Sequence, residues 1–125
     1  MVCIVINADD LKGKDKLCES IKTSIPGLKS FTLCVNKKNT NVIMGDRIIN
    51  VFGPGYIEDV IREKGREVRF RISPLSFFQV NSVQMEKLYG TALEFADLTG
   101  NENVWDLYCG VGTISLFLAG HAKKV

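Results

Sequence analysis

The stretch from residue 104 to residue 119 constrains the fold most, because it joins a short apolar run to a glycine loop and a helical pattern. Residues 104–108 are predicted to form a strand, residues 109–113 a tight loop and residues 114–119 the start of a helix. A strand, a glycine loop and a helix in this order open the doubly wound nucleotide-binding fold. The sequence therefore predicts the first step of such a domain, whose second strand is expected to begin near residue 123.

The segment before this stretch is predicted to be a helix over residues 81–99. Asn81 can cap its first turn, and Gln84 stands in the capping-box position three residues later. Apolar side chains then follow at helical spacing, and Gly100 is expected to end the helix.

Residues 1–72 predict a small domain of another kind. Apolar or alternating runs at residues 3–7, 31–35, 47–52 and 68–72 predict strands, and residues 15–24 have helical spacing. The resulting β-α-β-β-β order is that of an α+β domain. We therefore expect an α+β chain with a central domain over residues 1–72 and the truncated start of a Rossmann-like domain over residues 73–125.

Composition excludes several classes of protein. With 46% hydrophobic and 24% charged residues, the 125-residue chain has the balance of a globular protein. No apolar run approaches the roughly 20 residues of a membrane-spanning helix, and the first residues lack the basic leader of a secretory signal. The net charge of +2 does not by itself indicate a nucleic-acid partner. These features predict a cytoplasmic protein.

The cysteines do not form a metal-binding pattern. Cys3, Cys18, Cys34 and Cys109 are widely spaced, and His121 is the only histidine, so no metal site is expected. Reduced thiols packed as small hydrophobic groups are favoured over a disulfide framework.

The glycine loop favours one class of ligand over another. Gly110-x-Gly112 matches the first half of the dinucleotide pattern, but Ser115 occupies the third glycine position, which disfavours a nucleotide-dependent oxidoreductase. The spacing of Asp106, Gly110 and Gly112 resembles instead the first motif of class I S-adenosylmethionine-dependent methyltransferases. A turn that needs glycine only for its positive φ is the alternative.

Aromatic and amide residues adjoin the predicted helix in the order Phe77-Phe78-Gln79-Val80-Asn81. Such residues suit stacking on a base and hydrogen bonding to an adenosine or amino-acid group. From these residues alone, a buried phenylalanine pair beside a helix cap is the favoured interpretation.

Taken together, this motif and residues 104–116 closely resemble the RNA uracil-C5 methyltransferases, which form 5-methyluridine in 23S ribosomal RNA and transfer RNA. The resemblance covers about residues 70–120, and residues 1–70 are similar to the family's small central domain. It implies S-adenosylmethionine as cofactor and Phe77 as an RNA-facing aromatic. The implied cofactor-binding residues are Gln79, Asp106, Tyr108, Gly110, Gly112 and Thr113.

The resemblance also implies that no catalytic residue lies in the chain. Uracil C5 is a poor nucleophile until a thiolate adds at C6, and a base must then remove the C5 proton. The family's cysteine and base are expected beyond Val125, so the chain is expected to be a truncated, inactive fragment. Cys109 is the alternative thiolate, but its place in the cofactor loop favours a packed structural role.

The resulting interpretation is a fragment of an RNA methyltransferase that acts on 23S ribosomal RNA, with transfer RNA as a second possible substrate. A non-catalytic α+β module that binds RNA or a ligand is the alternative. A basic strip either contacts RNA or forms an ordinary solvated face, because glutamates interleave with it; it consists of Arg62, Lys64, Arg66, Arg69 and Arg71. Apolar side chains expected to be exposed predict a homo-oligomer through residues 81–125; they are Leu88, Phe95, Leu116 and Phe117.

Overall fold

The computed structural model describes residues 1–63, 65–79 and 81–125, so Lys64 of the basic strip and Val80 of the aromatic–amide motif lie outside the described residues. The chain is α+β, as predicted. Its elements are β1 (Val2–Ile6), α1 (Lys14–Ser24), β2 (Phe31–Val35), β3 (Arg47–Phe52), β4 (Ile57–Glu63), β5 (Arg66–Ile72), α2 (Ser82–Ala96) and α3 (Thr113–Leu118).

Contacts divide the chain into two compact units. The first unit comprises residues 1–57 and 73–75, and the second comprises residues 58–72 and 76–125. In the second unit, β5 and most of β4 are therefore grouped with α2 and α3. The predicted domain boundary after residue 72 stays a prediction. None of the described helices is long and apolar enough to cross a membrane.

The first unit is a three-stranded sheet in the order β1-β2-β3. β1 pairs with β2 in parallel and β2 with β3 in antiparallel, and α1 provides the crossover that two parallel strands require. Phe31, Leu33 and Cys18 form its buried centre. The period-2 alternation of β1 and β3 and the helical spacing of α1 direct apolar side chains toward this centre.

The second unit contains the two-stranded sheet β4-β5 together with α2 and α3. Ile61, Phe70 and Ile72 of the sheet are buried. On the helices, the Tyr89 and Phe117 rings lie edge to face with their centroids 5.7 Å apart. This packing buries Phe117, so its predicted place among the exposed apolar residues is wrong.

Two strand predictions in the second unit differ from the structure. β4 was not predicted, because its apolar residues Ile57, Val60 and Ile61 do not alternate with period 2. The predicted strand over residues 104–108 is wrong: only an isolated parallel bridge joins Asn103 and Lys124. A strand needs a continuous row of backbone hydrogen bonds to a neighbouring strand. Here the backbone hydrogen bonds of this kind are limited to the residues around that bridge.

The ends of α2 show one success and one correction. Asn81 caps the helix as predicted, because its side chain accepts the Gln84 N–H at 3.0 Å. The helix ends at Ala96 rather than at Gly100, since Asp97 already adopts the left-handed conformation with φ 45°. Asparagine and aspartate tolerate this conformation better than most residues do. The helix can therefore end at an aspartate, although a glycine was predicted to end it.

Candidate cofactor site

Gln79 lies directly before the capped start of α2. Its side chain is exposed, and it lines a cavity of about 410 Å³ beside the first turns of the helix. The other residues that line this cavity are Asn81, Gln84, Met85, Lys87, Leu88 and Thr91. The Gln79 amide therefore remains accessible for hydrogen bonding to a ligand.

Asp106 is the most constrained of the predicted site residues. Its Oδ2 accepts a hydrogen bond from the Ser115 hydroxyl at 2.6 Å, and its Oδ1 accepts one from the Tyr108 N–H at 3.3 Å. The side chain is half-buried. The carboxylate thus ties the segment before the glycine loop to α3, which follows the loop. Ser115 stood out in the sequence only as a departure from the dinucleotide pattern, and no sequence signal indicated this contact.

The glycine loop itself is a tight turn. Gly110 and Gly112 have positive φ values of 55° and 80°, and the Gly112 N–H donates to the Cys109 carbonyl at 2.7 Å. A Cβ at either glycine would meet no atom within 4 Å. Backbone conformation therefore requires these glycines, as the turn interpretation holds, and the open space beside them also leaves room for a ligand.

Thr113 begins α3 and connects it to α2. Its hydroxyl lies 2.8 Å from the Tyr89 hydroxyl, whose residue is buried. Because either oxygen can donate, this is one hydrogen bond between the two helices. Tyr89 belongs to the apolar side chains that follow at helical spacing in α2, but helical periodicity does not reveal its polar contact, which depends on the approach of α3.

The aromatic residues of the predicted site are divided between exposed and packed positions. Tyr108 is 97% exposed and Phe77 is 77% exposed. Phe78 packs on Phe70 with 5.8 Å between ring centroids. Phe78 is half-buried. The favoured interpretation of a buried phenylalanine pair therefore holds only in part for Phe78 and is wrong for Phe77.

The cysteines also differ in burial. All four are free thiols; Cys18 and Cys34 are buried, while Cys3 is half-buried. Cys109 is exposed, so the expectation of a packed thiol in the loop is wrong.

The described contacts bring only some of the predicted residues together. Asp106, Tyr108 and Thr113 share the loop and its anchoring contacts to Ser115 and Tyr89. In the described part of the chain, no hydrogen bond or ring contact is seen between Gln79 or Phe77 and this loop. The structure therefore contains two groups of predicted residues, one at the start of α2 and one at the glycine loop.

The charge of the glycine-loop group indicates what it can bind. Residues 103–122 contain no lysine or arginine, and Asp106 is their only acidic residue. A pyrophosphate would find no lysine or arginine side chain in this segment, whereas a cationic group would find a fixed carboxylate. S-adenosylmethionine has an ammonium and a sulfonium and no phosphate, so the residues present fit it.

Glu102 organises the turn that leads into this segment. Its carboxylate accepts hydrogen bonds from the Thr99 hydroxyl at 2.6 Å and from the N–H groups of Thr99, Gly100 and Asn101 at 3.0–3.1 Å. The Thr99 hydroxyl, followed by the backbone N–H groups of Glu102 itself, Thr99 and Gly100, lowers the pKa of Glu102 below its ordinary value. The Glu102 carbonyl also accepts the Lys123 N–H beside the Asn103–Lys124 bridge.

Comparison with known proteins identifies the family of the chain. A family model described as tRNA (Uracil-5-)-methyltransferase matches residues 28–125, and the chain belongs to that family. An uncharacterized RNA methyltransferase of Caldanaerobacter subterraneus subsp. tengcongensis is 50% identical over all 125 residues, which cover 27% of that relative. Relatives described in the same words from Clostridium acetobutylicum and Halalkalibacterium halodurans are 50% and 49% identical, and the chain covers 26% of each. The chain thus spans about a quarter of the length of the curated relatives it matches.

Proposed function

We propose that the gene product containing this chain is an S-adenosylmethionine-dependent methyltransferase that converts uridine to 5-methyluridine in RNA. Family membership over residues 28–125 supports this proposal. The structural observation that carries it is the Asp106 carboxylate, held at 2.6 Å by Ser115 beside the glycine loop. We take 23S ribosomal RNA as the substrate on the sequence resemblance, with transfer RNA, which the family description names, as the second candidate.

The residues of the chain have separate roles in this proposal. Asp106 attracts the cationic amino-acid end of the cofactor, and the Tyr108 ring offers a stacking surface. Gly110, Gly112 and Thr113 leave room for close approach, and Gln79 supplies an amide donor and acceptor. Phe77 faces the RNA. When bound, S-adenosylmethionine supplies a methyl group made electrophilic by the sulfonium.

The thiolate that activates uracil C5 is assigned to a segment outside these 125 residues. Cys109 is exposed, but it belongs to the loop proposed to hold the cofactor. We therefore expect the purified 125-residue chain to form no 5-methyluridine. Formation of that nucleoside by this chain would instead assign Cys109 as the nucleophile.

We also propose that the 125-residue chain, when isolated, associates with itself through residues 81–125. Leu88, Phe95 and Leu116 are 57%, 86% and 44% exposed. Large apolar patches are rarely left uncovered on the surface of a monomer. A second copy can cover them symmetrically. Light scattering is expected to report a dimer or higher oligomer, and a strict monomer would contradict this part of the proposal.

Cofactor binding is tested by calorimetry on the gene product that contains these residues. Gln79→Ala and Tyr108→Ala are each expected to weaken S-adenosylmethionine binding by about 1–3 kcal/mol, because a hydrogen-bonding amide and a stacking face are lost. Asn39→Ala, which removes an exposed amide from the first unit, is the matched control and should leave the affinity unchanged.

Two outcomes would contradict the proposal. Unchanged cofactor affinity in both site variants would overturn the assignment of the site. RNA binding with no S-adenosylmethionine binding by the unsubstituted protein would favour the non-catalytic binding module.

A further inference from the structure

Arginine is concentrated in one segment of the chain. Four of the five arginines lie within residues 62–71, whereas the eleven lysines are distributed from Lys12 to Lys124. The planar guanidinium group matches the oxygen geometry of phosphate and stacks on bases, while lysine offers a compact point charge. This segment therefore carries the residue type best suited to an RNA backbone.

The sheet β4-β5 brings three of these arginines to one exposed face. Along β5, Glu67, Arg69 and Arg71 are exposed while Phe70 and Ile72 are buried. The Arg62 side chain of β4 reaches the same face, because its Nε donates to Glu67 Oε1 at 3.2 Å. The side chains of Arg62, Arg69 and Arg71 are 68%, 68% and 72% exposed.

Two glutamates orient these arginines without neutralising them fully. Glu67 accepts hydrogen bonds from both Arg62 and Arg69, the latter at 3.0 Å, and Glu58 accepts one from Arg71 at 3.3 Å. Among the described residues that pair on this face, three guanidinium groups stand against the two carboxylates of Glu58 and Glu67. Exposed ion pairs of this kind add little stability, but they restrict the rotamers that binding would otherwise have to order.

Donors for a phosphate remain available on this face. In the described part of the chain, Arg62 and Arg69 each use one guanidinium nitrogen in their contacts with Glu67. A guanidinium group has five N–H donors, so further donors on both residues can reach an anion. Arg66 is not one of these phosphate-binding candidates. A Cβ at position 120 would lie only 1.8 Å from its Nη1, so the absence of a side chain at Gly120 allows this close approach.

We propose that this surface, the arginine face, binds the phosphate backbone of the RNA substrate. The arginine face consists of Glu58, Arg62, Glu67, Arg69 and Arg71. The inference rests on the proposed function, because it takes the partner to be RNA, and it adds the surface that holds that RNA. Phosphate contacts position a nucleic acid and carry no sequence information, so the face is a general anchor for the strand and does not select the target uridine.

The test measures binding of the 125-residue chain to a fluorescein-labelled RNA hairpin with a uridine-rich loop, by anisotropy over a series of salt concentrations. The double variant Arg69→Gln/Arg71→Gln is expected to bind the RNA about tenfold more weakly. The slope of the logarithm of the binding constant against the logarithm of the salt concentration is expected to become shallower by about 1 to 2. The matched control is Lys12→Gln/Lys16→Gln, which removes the same charge from exposed positions of the first unit. It is expected to change the affinity less than about twofold.

A conservative variant separates guanidinium geometry from charge. Arg69→Lys/Arg71→Lys keeps the charge and removes the forked donors, and it is expected to bind between the Gln variant and the unsubstituted chain. Circular dichroism and thermal unfolding of each variant show whether the fold is intact, and the Lys variant keeps the test valid if the Gln variant unfolds.

Several results would overturn the arginine face. These are no RNA binding by the unsubstituted chain, equal losses in the arginine variant and the lysine control, or displacement of RNA by polyglutamate as effectively as by unlabelled RNA, which would indicate an acidic protein partner. The anisotropy experiment measures RNA binding in the absence of S-adenosylmethionine and does not depend on methyl transfer. A failed methylation assay with selective loss of RNA affinity in the arginine variant would therefore count against the proposed function and leave the arginine face in place.

Discussion

Residues 1–57 and residues 76–125 differ in how many of their large apolar side chains they expose. In the first region, Phe31 and Leu33 are fully buried at the centre of a sheet. In the second region, Phe95, Trp105 and Tyr108 are 83–97% exposed. Both regions have buried and exposed apolar residues, but the exposed ones are more numerous in the second region, where they include aromatic rings.

The second region combines this exposure with fixed polar contacts. The Asp106–Ser115 and Tyr89–Thr113 hydrogen bonds hold the ends of the glycine loop, while Tyr108 between them stays open. Exposed aromatic residues on a fixed loop suit a binding site, because little order has to be gained when the ligand arrives. This combination in the second region supports the proposed cofactor site.

The largest expected effect compares one phenylalanine from each region. Phe31→Ala removes a fully buried ring and should lower the free energy of unfolding by about 3–5 kcal/mol. Phe95→Ala, at a side chain that is 86% exposed, should change it by no more than about 0.5 kcal/mol. Urea unfolding of the two variants measures both values, and similar losses would remove the proposed difference between the regions.

A glycine substitution tests how closely the first region is packed. A Cβ at Gly45 would lie 1.8 Å from the Val35 carbonyl oxygen, so Gly45→Ala must displace backbone and should cost about 1–3 kcal/mol. At Gly27 a Cβ would meet no atom within 4 Å, and Gly27→Ala should stay within about 1 kcal/mol of the unsubstituted chain. If Gly45→Ala were as well tolerated as Gly27→Ala, the tight approach of these segments would be refuted.

The polar link between α2 and α3 gives a smaller expected effect. Tyr89→Phe removes the hydrogen bond to Thr113 and should cost about 0.5–1.5 kcal/mol, with faster amide exchange in α3. Tyr108→Phe makes the same chemical change at a ring that is 97% exposed and serves as the control. Equal exchange rates in α3 for the two variants would argue against this link.

The smallest expected effect concerns the loss of thermal stability at acidic pH. Because the folded chain lowers the pKa of Glu102, its contribution to stability is present above the ordinary glutamate value of 4.5 and is lost as the pH falls through the lower folded value. Glu102→Gln should therefore reduce the loss of thermal stability on acidification below pH 4.5, relative to the unsubstituted chain. Glu94→Gln, at an exposed position of α2, is the control. The same dependence of thermal stability on pH in all three chains would refute a stabilising role of the Glu102 carboxylate in the turn at residues 99–102.

The sequence predicted local features of the fold better than features that depend on a partner. β2 was predicted from alternation over residues 31–35, and the Asn81 cap from residue type and spacing. A strand over residues 104–108 was predicted from apolar character, but a strand forms only beside another, and the pairing here stops at one bridge. The loop residues of the candidate site were predicted from a motif, whereas the roles of Ser115 and Tyr89 depend on hydroxyl contacts created by the fold.

The most direct test of the proposed function identifies the methylated nucleoside. The gene product that contains these residues is incubated with S-adenosylmethionine and separately with 23S ribosomal RNA and transfer RNA lacking the modification, and the digested RNA is analysed by mass spectrometry. The expected product is 5-methyluridine in 23S ribosomal RNA, strongly reduced by Asp106→Ala. A protein that binds S-adenosylmethionine yet forms no 5-methyluridine in either RNA, or that methylates another nucleoside, would contradict the proposed function.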